Sequence, residues 1–313
     1  MRLFYATDVH GSDRCFTKFV NAARFYEVDA LVLGGDITGK AIVPLVSSNG
    51  GYEAEFVGDR LSVQPGEELE QLEKKIANTG YYPWRCTREE EERVAAEQAA
   101  QHELFVRLIC ERVERWMALA EERLRPAGIP CFVNAGNDDP PEIDAVIEGA
   151  DWVEFLEGRV LRLPDGTELA SCGYANKTPW ACPRDVEESE LAQRLDDVIA
   201  KVENPASALF NFHCPPFDTG IDSGPMLGED FRVQAGAGGV QMHPVGSKAC
   251  RAAIERYQPL VGLHGHLHES RGTHTLGRTV CINPGSEYTE GVLRGALLEL
   301  DKGKLKSYQL TAG

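Results

Sequence analysis

The sequence predicts an α/β fold, and three observations in the first forty residues support this. Two apolar runs, Leu3–Ala6 and Ala30–Leu33, flank a segment with apolar side chains at helical spacing, Phe16–Phe25. A strand, a helix and a strand in this order form a βαβ unit, in which the strands are parallel neighbours. Polar residues follow both runs directly, where open α/β sheets place their ligand sites.

The stretch from about Gly39 to Thr87 interrupts the alternation of strands and helices. Within it, Tyr52–Val57 and Arg60–Val63 flank Gly58-Asp59, a pattern typical of a β-hairpin. We interpret this stretch as part of a surface insertion in a single domain. The insertion spans about residues 40–126 of the 313.

A long helix is predicted from Arg88 to Leu124. Thr87 and Glu90 form a capping-box pattern at its start, and a proline and a glycine follow its end. Its second half carries an apolar stripe made of Phe105, Leu108, Ile109, Val113, Trp116, Met117 and Ala120. We expect this half to pack on the sheet while the first half projects. The alternatives are a lid or a contact between copies in a homo-oligomer.

Later elements continue the mixed pattern. Further strands are predicted at Ile129–Ala135, Val160–Leu163, Leu169–Ser171, Ala208–Phe212 and Leu260–Leu263, followed by a closing β-meander at Arg278–Ile282, Gly295–Leu300 and Lys304–Leu310. Glu187–Val202 has the pattern of an amphipathic helix, and the Gly- and Pro-rich Pro215–Gly246 that of a long loop.

Charge and cysteine content restrict the function classes. Lys and Arg number 32 against 49 Asp and Glu, so the net charge is −17 and coating of long nucleic acids is disfavoured. The nine Cys include no Cys-x-x-Cys pair, which favours reduced thiols over disulfides or structural zinc. With no membrane-spanning run and no signal-peptide pattern, we expect a cytoplasmic protein without a membrane partner.

Five short segments place metal-binding side chains at or just after the end of an apolar run. They are Asp8-Val9-His10, Gly35-Asp36, Gly136-Asn137-Asp138, His213 and Gly265-His266-Leu267-His268. Alternation in extended chain would point Asp8 and His10 the same way, and His266 and His268 likewise. Two carboxylates, four imidazoles and one amide are too many ligands for one ion but enough for two that share a carboxylate. This donor set suits manganese, iron, zinc or nickel, and paired ions of this kind catalyse displacement at phosphorus.

The order Asp-x-His, Gly-Asp, Gly-Asn, His, Gly-His-x-His resembles the calcineurin-like metallophosphoesterase superfamily. Asn283-Pro284-Gly285-Ser286 and His213-Cys214-Pro215-Pro216 are similar to a subgroup of prokaryotic phosphoesterases related to cyclic-nucleotide phosphodiesterases. The resemblance covers the chain from Asp8 to His268. It implies a four-layer αββα sandwich, here with a hairpin-plus-helix insertion, and a dinuclear site at the strand ends.

Carried over to this sequence, the resemblance implies which residues bind each ion. The first ion would be bound by Asp8, His10, Asp36 and His268, and the second by Asn137, His213, His266 and the bridging Asp36. It also implies that a hydroxide bridging the two ions attacks phosphorus. Manganese is the expected metal.

The third motif departs from the pattern, because most relatives carry His where this chain has Asp138. That His assists the leaving group, and a carboxylate does so only if its pKa is raised. Asp138 is therefore a catalytic candidate whose acid role is open. His243 and Lys40 are candidate substrate-binding residues, with loop filler and a merely exposed lysine as the alternatives. His264 is a candidate outer partner of a ligand.

The resulting hypothesis is a metal-dependent hydrolase of a small phosphodiester, of the nucleotide or cyclic-nucleotide type. A phosphomonoesterase or protein phosphatase is the second reading. A metal-binding scaffold of the same fold without turnover is the third, although scaffolds of this kind usually lose ligands and all seven positions are filled here.

Overall fold

The computed structural model describes residues 1–228, 233–236, 239–301 and 303–313. The described residues form seven α-helices: α1 Asp13–Phe25, α2 Glu67–Asn78, α3 Arg88–Ala96, α4 Gln98–Leu124, α5 Glu142–Glu148, α6 Glu188–Ile199 and α7 Lys248–Tyr257. None of these helices is both long enough and apolar enough to cross a membrane.

The strands are numbered in chain order. They are β1 Arg2–Ala6, β2 Ala30–Leu33, β3 Ile42–Ser48, β4 Gly51–Phe56, β5 Asp59–Val63, β6 Tyr82–Cys86, β7 Cys131–Val133, β8 Val153–Phe155, β9 Val160–Arg162, β10 Glu168–Cys172, β11 Ala175–Asn176, β12 Asp185–Val186, β13 Leu209–Phe212, β14 Ser223–Pro225, β15 Ala235–Gly236, β16 Gly239–Val240, β17 Met242–Pro244, β18 Val261–Leu263, β19 Gly272–Leu276, β20 Thr279–Asn283, β21 Arg294–Asp301 and β22 Lys304–Ala312.

Two six-stranded sheets form the centre of the fold. The first has the order β22-β21-β1-β2-β7-β8, and the second β19-β20-β18-β13-β10-β9. Parallel pairing joins β1, β2, β7 and β8 in the first sheet, and β10, β13, β18 and β20 in the second. The predicted parallel pairing of Leu3–Ala6 with Ala30–Leu33 is confirmed.

Alternating side chains of these strands build three apolar layers. Leu3, Tyr5 and other β1 and β2 side chains pack against those of β13 and β18, so one core lies between the two sheets. The opposite face of the first sheet packs on α1, α4 and α5. The opposite face of the second sheet packs on α6 and α7. The α/β class and the four-layer αββα sandwich are therefore confirmed.

The predicted single helix from Arg88 to Leu124 is wrong in one respect, because Glu97 has extended backbone angles and separates α3 from α4. No residue of α3 is buried, so core packing does not hold the two helices on one axis. The second half packs as predicted: Ile109, Val113 and Trp116 lie in the core on the outer face of the first sheet. The apolar stripe thus packs against other elements of the same chain.

The predicted closing meander is also wrong. Strand β20 belongs to the second sheet, where it pairs with β18 and β19, while β21 and β22 pair in the first sheet. The segment between β20 and β21 crosses from one sheet to the other, and Ser286 within it donates a hydrogen bond to the carbonyl of Asp8. The sequence of β20 and β21 does not predict this change of sheet.

The segment from 40 to 126 contains more than the predicted hairpin. The hairpin of β4 and β5 is present, and it extends into a four-stranded sheet of order β5-β4-β3-β6 with its own core beneath α2. The Pro215–Gly246 loop holds short strand pairs, β14 with β17 and β15 with β16, and its residues 229–232 and 237–238 lie outside the described residues. The division into one domain with an insertion remains a prediction.

Candidate metal centre

Both central sheets direct the carboxyl ends of their parallel strands to one edge of the sandwich. Asp8 and His10 follow β1, and Asp36 follows β2. From the second sheet, His213 follows β13 and His266 follows β18. The side chains at this edge therefore converge from distant parts of the chain, as parallel strands require.

Four of these residues have left-handed backbone angles although none is glycine. The φ angle is 54° at Asp8, 37° at His10, 49° at Asp36 and 68° at His266. Side chains other than glycine adopt this region at an energetic cost, and such residues concentrate at functional sites. The prediction that these pairs alternate as extended chain is therefore wrong. Each motif instead leaves its strand through a sharp turn.

Glycines of the motifs are required by close approach. A Cβ at Gly136 would lie 2.2 Å from Oδ1 of Asp36, and one at Gly265 would lie 2.3 Å from Oδ2 of Asp8. A larger residue at either position would displace a carboxylate of the site. The Gly-Asn and Gly-His pairs of the sequence have this steric origin.

Two adjacent clusters of ligand atoms result. In the first, Nε2 of His10 lies 2.9 Å from Nε2 of His268, and the latter lies 3.5 Å from Oδ1 of Asp8. In the second, Oδ2 of Asp36 lies 3.3 Å from Nε2 of His213. The same oxygen lies 3.7 Å from Nε2 of His10, so Asp36 stands between the clusters. Asn137 joins the second cluster, with Oδ1 2.8 Å from Nδ1 of His266. His266 and His268 thus belong to different clusters, although their alternation predicted that they point the same way.

Neighbouring charges shift the pKa values of these groups in different directions. Burial lowers the pKa of His213, but the charges of Asp36 and Asp8 outweigh burial and raise that pKa to about 9. Burial raises the pKa of Asp36, yet the positive charge of His213 outweighs it and holds that pKa well below its ordinary value. Burial also lowers the pKa of His266 to about 4 and that of His10 to about 3. Ionised carboxylates and neutral imidazoles are the forms in which these side chains bind metal, so His213 must lose its proton when an ion binds.

The chemistry of these residues fits divalent metal ions. His213 is fully buried, and neither of its ring nitrogens has a hydrogen-bond partner among the described residues. Leaving such a group unpaired is costly, and coordination would satisfy it. The Nε2 atoms of His10 and His268 lie 2.9 Å apart, close enough for both to bind one ion. The clusters could therefore hold metal ions.

Asp185 orients the amide of Asn137, a candidate ligand. The Asn137 amide donates from Nδ2 to Oδ1 of Asp185 over 2.9 Å, which leaves its oxygen facing His266. The second oxygen of Asp185 accepts from the backbone nitrogens of Thr178 and Cys182 over 3.0 and 2.9 Å. Outer partners of this kind fix the direction of a metal ligand.

We expect Asp185→Ala to weaken the second metal site. Without the carboxylate the Asn137 amide is free to rotate, and its nitrogen can replace its oxygen toward the ion. Loss of an outer partner costs about 10- to 100-fold in metal affinity. The measurement is manganese titration by calorimetry. Asp197→Ala, on the exposed part of α6, is the control and should leave both sites unchanged; equal affinity in Asp185→Ala would contradict the orienting role.

The remaining sequence candidates lie at the rim of the site. Oδ2 of Asp138 lies 2.8 Å from Nζ of Lys40 and 3.8 Å from Nδ1 of His10. Lys40 and His243 line the cavity above the ligands together with Asp138. His264 is buried, and its Nδ1 lies 2.7 Å from the carbonyl oxygen of Phe212. That contact is with backbone, so an outer-partner role for His264 is not supported.

Several residues that support the site were missed by sequence reasoning. Asp139 is fully buried beside Asp138 and bonds backbone of two ligand-bearing loops. The ring of Tyr288 lies 4.8 Å from the His10 ring and 5.8 Å from the His268 ring, measured between centroids. The only available signal was the position of Asp139 within the third motif.

The insertion also contacts the loops after β1 and β2, which carry candidate metal ligands. Ser12 donates to the carbonyl of Asn78 over 2.6 Å, and the Tyr82 hydroxyl accepts from the backbone of Gly39 over 2.8 Å. Arg112 of α4 is buried and donates to the carbonyls of Gly11 and Tyr81. The prediction of a surface insertion is thus incomplete. One side of the insertion packs against the backbone that follows β1 and β2.

Comparisons with known proteins agree with this architecture. One solved structure aligns over 99% of this chain and 98% of its own, with a TM-score of 0.56 and 17% identity. The crystal structure of TT1561 of Thermus thermophilus aligns over 100% of this chain and 97% of its own, with a TM-score of 0.53 and 15% identity. The likeness is one of fold. It extends over the whole chain, including both central sheets.

The sequence comparisons are narrower. The uncharacterized protein MJ1162 of Methanocaldococcus jannaschii is 28% identical over 151 residues, which are 48% of this chain. The match spans 61% of the length of that relative. No family model matches the chain.

Proposed function

We propose that the protein is a dinuclear metal-dependent phosphoesterase. The observation that carries the proposal is the pair of ligand clusters that share Asp36 at the carboxyl edge of both sheets. Two divalent ions bound there would supply positive charge for phosphoryl oxygens and an activated water. The mixed imidazole and carboxylate donors favour manganese, with iron, zinc or nickel as alternatives.

The chain itself would position the phosphoester. Four ligands, Asp36, Asn137, His266 and His268, line one end of a cavity of about 900 Å³. Lys40 also lines the cavity, but Asp138 neutralises much of its charge over 2.8 Å. A phosphomonoester dianion would gain little from such a pair, whereas a diester carries only one charge. We therefore propose a small phosphodiester as the substrate, with a phosphomonoester as the second candidate.

The test is hydrolysis of bis-p-nitrophenyl phosphate and p-nitrophenyl phosphate after loading with manganese, alongside the metal content. We expect two ions per chain and a higher kcat/KM for the diester. Two bound ions without turnover of either ester would favour a metal-binding scaffold. A cytoplasmic location stays a prediction, and the nine cysteines, which are all free thiols, agree with it.

The role of Asp138 is testable through the leaving group. The Asp138 carboxyl group is paired with Lys40 and lies beside His10, so its oxygens are engaged within the protein rather than free for a leaving group. We expect the wild type and Asp138→Ala to share one steep dependence of kcat/KM on the pKa of the leaving group. Asp138→His should flatten the dependence and accelerate poor leaving groups, since a positioned acid contributes about 100-fold or more.

The measurement is a series of aryl methyl phosphodiesters with graded leaving groups. A steeper slope for Asp138→Ala than for the wild type would identify Asp138 as a proton donor. Lys177→Met provides a control, because Lys177 also lines the cavity but pairs with Glu187 over 2.6 Å.

A further inference from the structure

The cavity that opens over the metal ligands extends well beyond them. Its volume of about 900 Å³ is that of a site for a sizeable organic ligand, and a bare phosphate would fill only a small part of it. Away from the ligands its walls become apolar, with Phe217, Pro225, Met226 and Leu227. The molecule that brings phosphorus to the metal end thus has room for a large apolar group.

Trp180 is the largest side chain on this wall. It lines the cavity and is 67% exposed. In the part of the chain that the structure describes, no other aromatic ring stacks on it. An indole ring displayed in this way offers an open face to a planar partner.

The segment that carries Trp180 is held in place on both sides of the ring. Asp185 accepts from the backbone of Thr178, from its hydroxyl over 2.5 Å, and from the backbone of Cys182. Between them, Ala181 has a left-handed φ of 50°. The same Asp185 orients the ligand Asn137. The indole is therefore presented from a fixed loop that is tied directly to the metal centre.

Positive charge is also available along the cavity. Lys248 lines it with Nζ 5.5 Å from the centre of the Phe217 ring. Phosphate oxygens or sugar hydroxyls that continue from the reacting phosphorus could reach this ammonium group. Aromatic, apolar and cationic surfaces in one cavity match a nucleotide more closely than an alkyl phosphoester.

We propose that Trp180 stacks on the planar aromatic group of the substrate, and that the substrate is of nucleotide chemistry. The inference rests on the proposed function for placing the phosphorus at the metal ligands. Trp180 would act in specificity and binding rather than in the displacement itself. Stacking of a base on an aromatic side chain strengthens binding by about 5- to 150-fold.

The experiment compares adenosine 5′-monophosphate with ribose 5-phosphate by calorimetry on the manganese-loaded full chain. These two ligands share the phosphate and the sugar and differ in the base. We expect the wild type to bind the nucleotide about 5- to 150-fold more tightly. Trp180→Ala should lose most of this preference without changing the affinity for ribose 5-phosphate, and Trp180→Phe should retain much of it.

Phe25→Ala is the matched control, because Phe25 is 77% exposed and does not line the cavity. Equal binding of the two ligands by the wild type, or an unchanged preference in Trp180→Ala, would overturn the inference. If nucleotide preference depends on Trp180 but no phosphoester is hydrolysed, the stacking stands and the proposed enzymatic function fails. If esters are hydrolysed without such a preference, the proposed enzymatic function stands and the stacking on Trp180 fails.

Discussion

Asp36→Asn should abolish phosphoester hydrolysis and remove at least one of the two bound ions. Asp36 is the carboxylate between the clusters, with the same oxygen 3.3 Å from Nε2 of His213 and 3.7 Å from Nε2 of His10. An amide cannot bind two cations through a charged oxygen. We expect kcat/KM to fall by about 1,000-fold or more, since the ions supply most of the charge stabilisation in such a reaction.

The measurement combines metal content by mass spectrometry with the initial rate on bis-p-nitrophenyl phosphate. Asp59→Asn makes the same chemical change at the exposed start of β5 and should leave both quantities unchanged. Loss of activity in Asp36→Asn with two ions still bound would place the role of Asp36 outside metal bridging. Full activity in that variant would disprove the dinuclear proposal.

Loss of Asp36 also has a local structural consequence. Its other oxygen accepts from the backbone nitrogen of Asp138 over 2.9 Å. Asparagine can keep this contact through its amide oxygen, so the fold around the third motif should persist. The far-ultraviolet circular dichroism of Asp36→Asn should therefore match that of the wild type, which separates a metal effect from unfolding.

The central sandwich was predictable because its signals are local and cooperative. Short apolar runs mark β1 and β2, and the polar residues after them locate the carboxyl edge of a parallel sheet. Once five such segments are recognised, topology alone brings their side chains together. The candidate ligands were found at these strand ends, and their division between two ions came from the family resemblance.

Other features depend on contacts that leave no periodic trace in the sequence. Asp185 lies 48 positions from Asn137, and its role appears only when the two side chains meet. The change of sheet between β20 and β21 follows from packing rather than from any turn motif. The break at Glu97 arises where α3 has no buried residue. In each case the presence or absence of tertiary packing, rather than local propensity, determines the outcome.

Asp139→Ala should destabilise the fold around the metal centre more than any single hydrogen-bond deletion elsewhere in it. One oxygen of this buried carboxylate accepts from the backbone of Thr38 and from its hydroxyl, over 2.8 and 2.7 Å. The other accepts from the backbone nitrogens of Ile37 and Gly136, over 3.0 and 2.7 Å. The loops after β2 and β7 are joined through this one side chain.

Removing the Asp139 carboxylate leaves four donors without their acceptor in the interior. Each buried unsatisfied group costs about 1–3 kcal/mol, and the costs are not additive when water enters. We therefore expect the free energy of unfolding to fall by about 3–5 kcal/mol, less than the sum of four such costs. The ligands Asp36 and Asn137 lie on the two loops, so the affinity for metal should fall as well.

Thr38→Val is the matched control, because it deletes only the hydroxyl donor and keeps the other three contacts. We expect a loss of about 1 kcal/mol for this variant. Urea unfolding of the metal-free chain provides the measurement, so that weakened metal binding does not contribute to the difference. If both variants unfold at the same urea concentration, Asp139 does not join the loops. The geometry of Asp36 must then depend on the turns at Gly35 and Gly136.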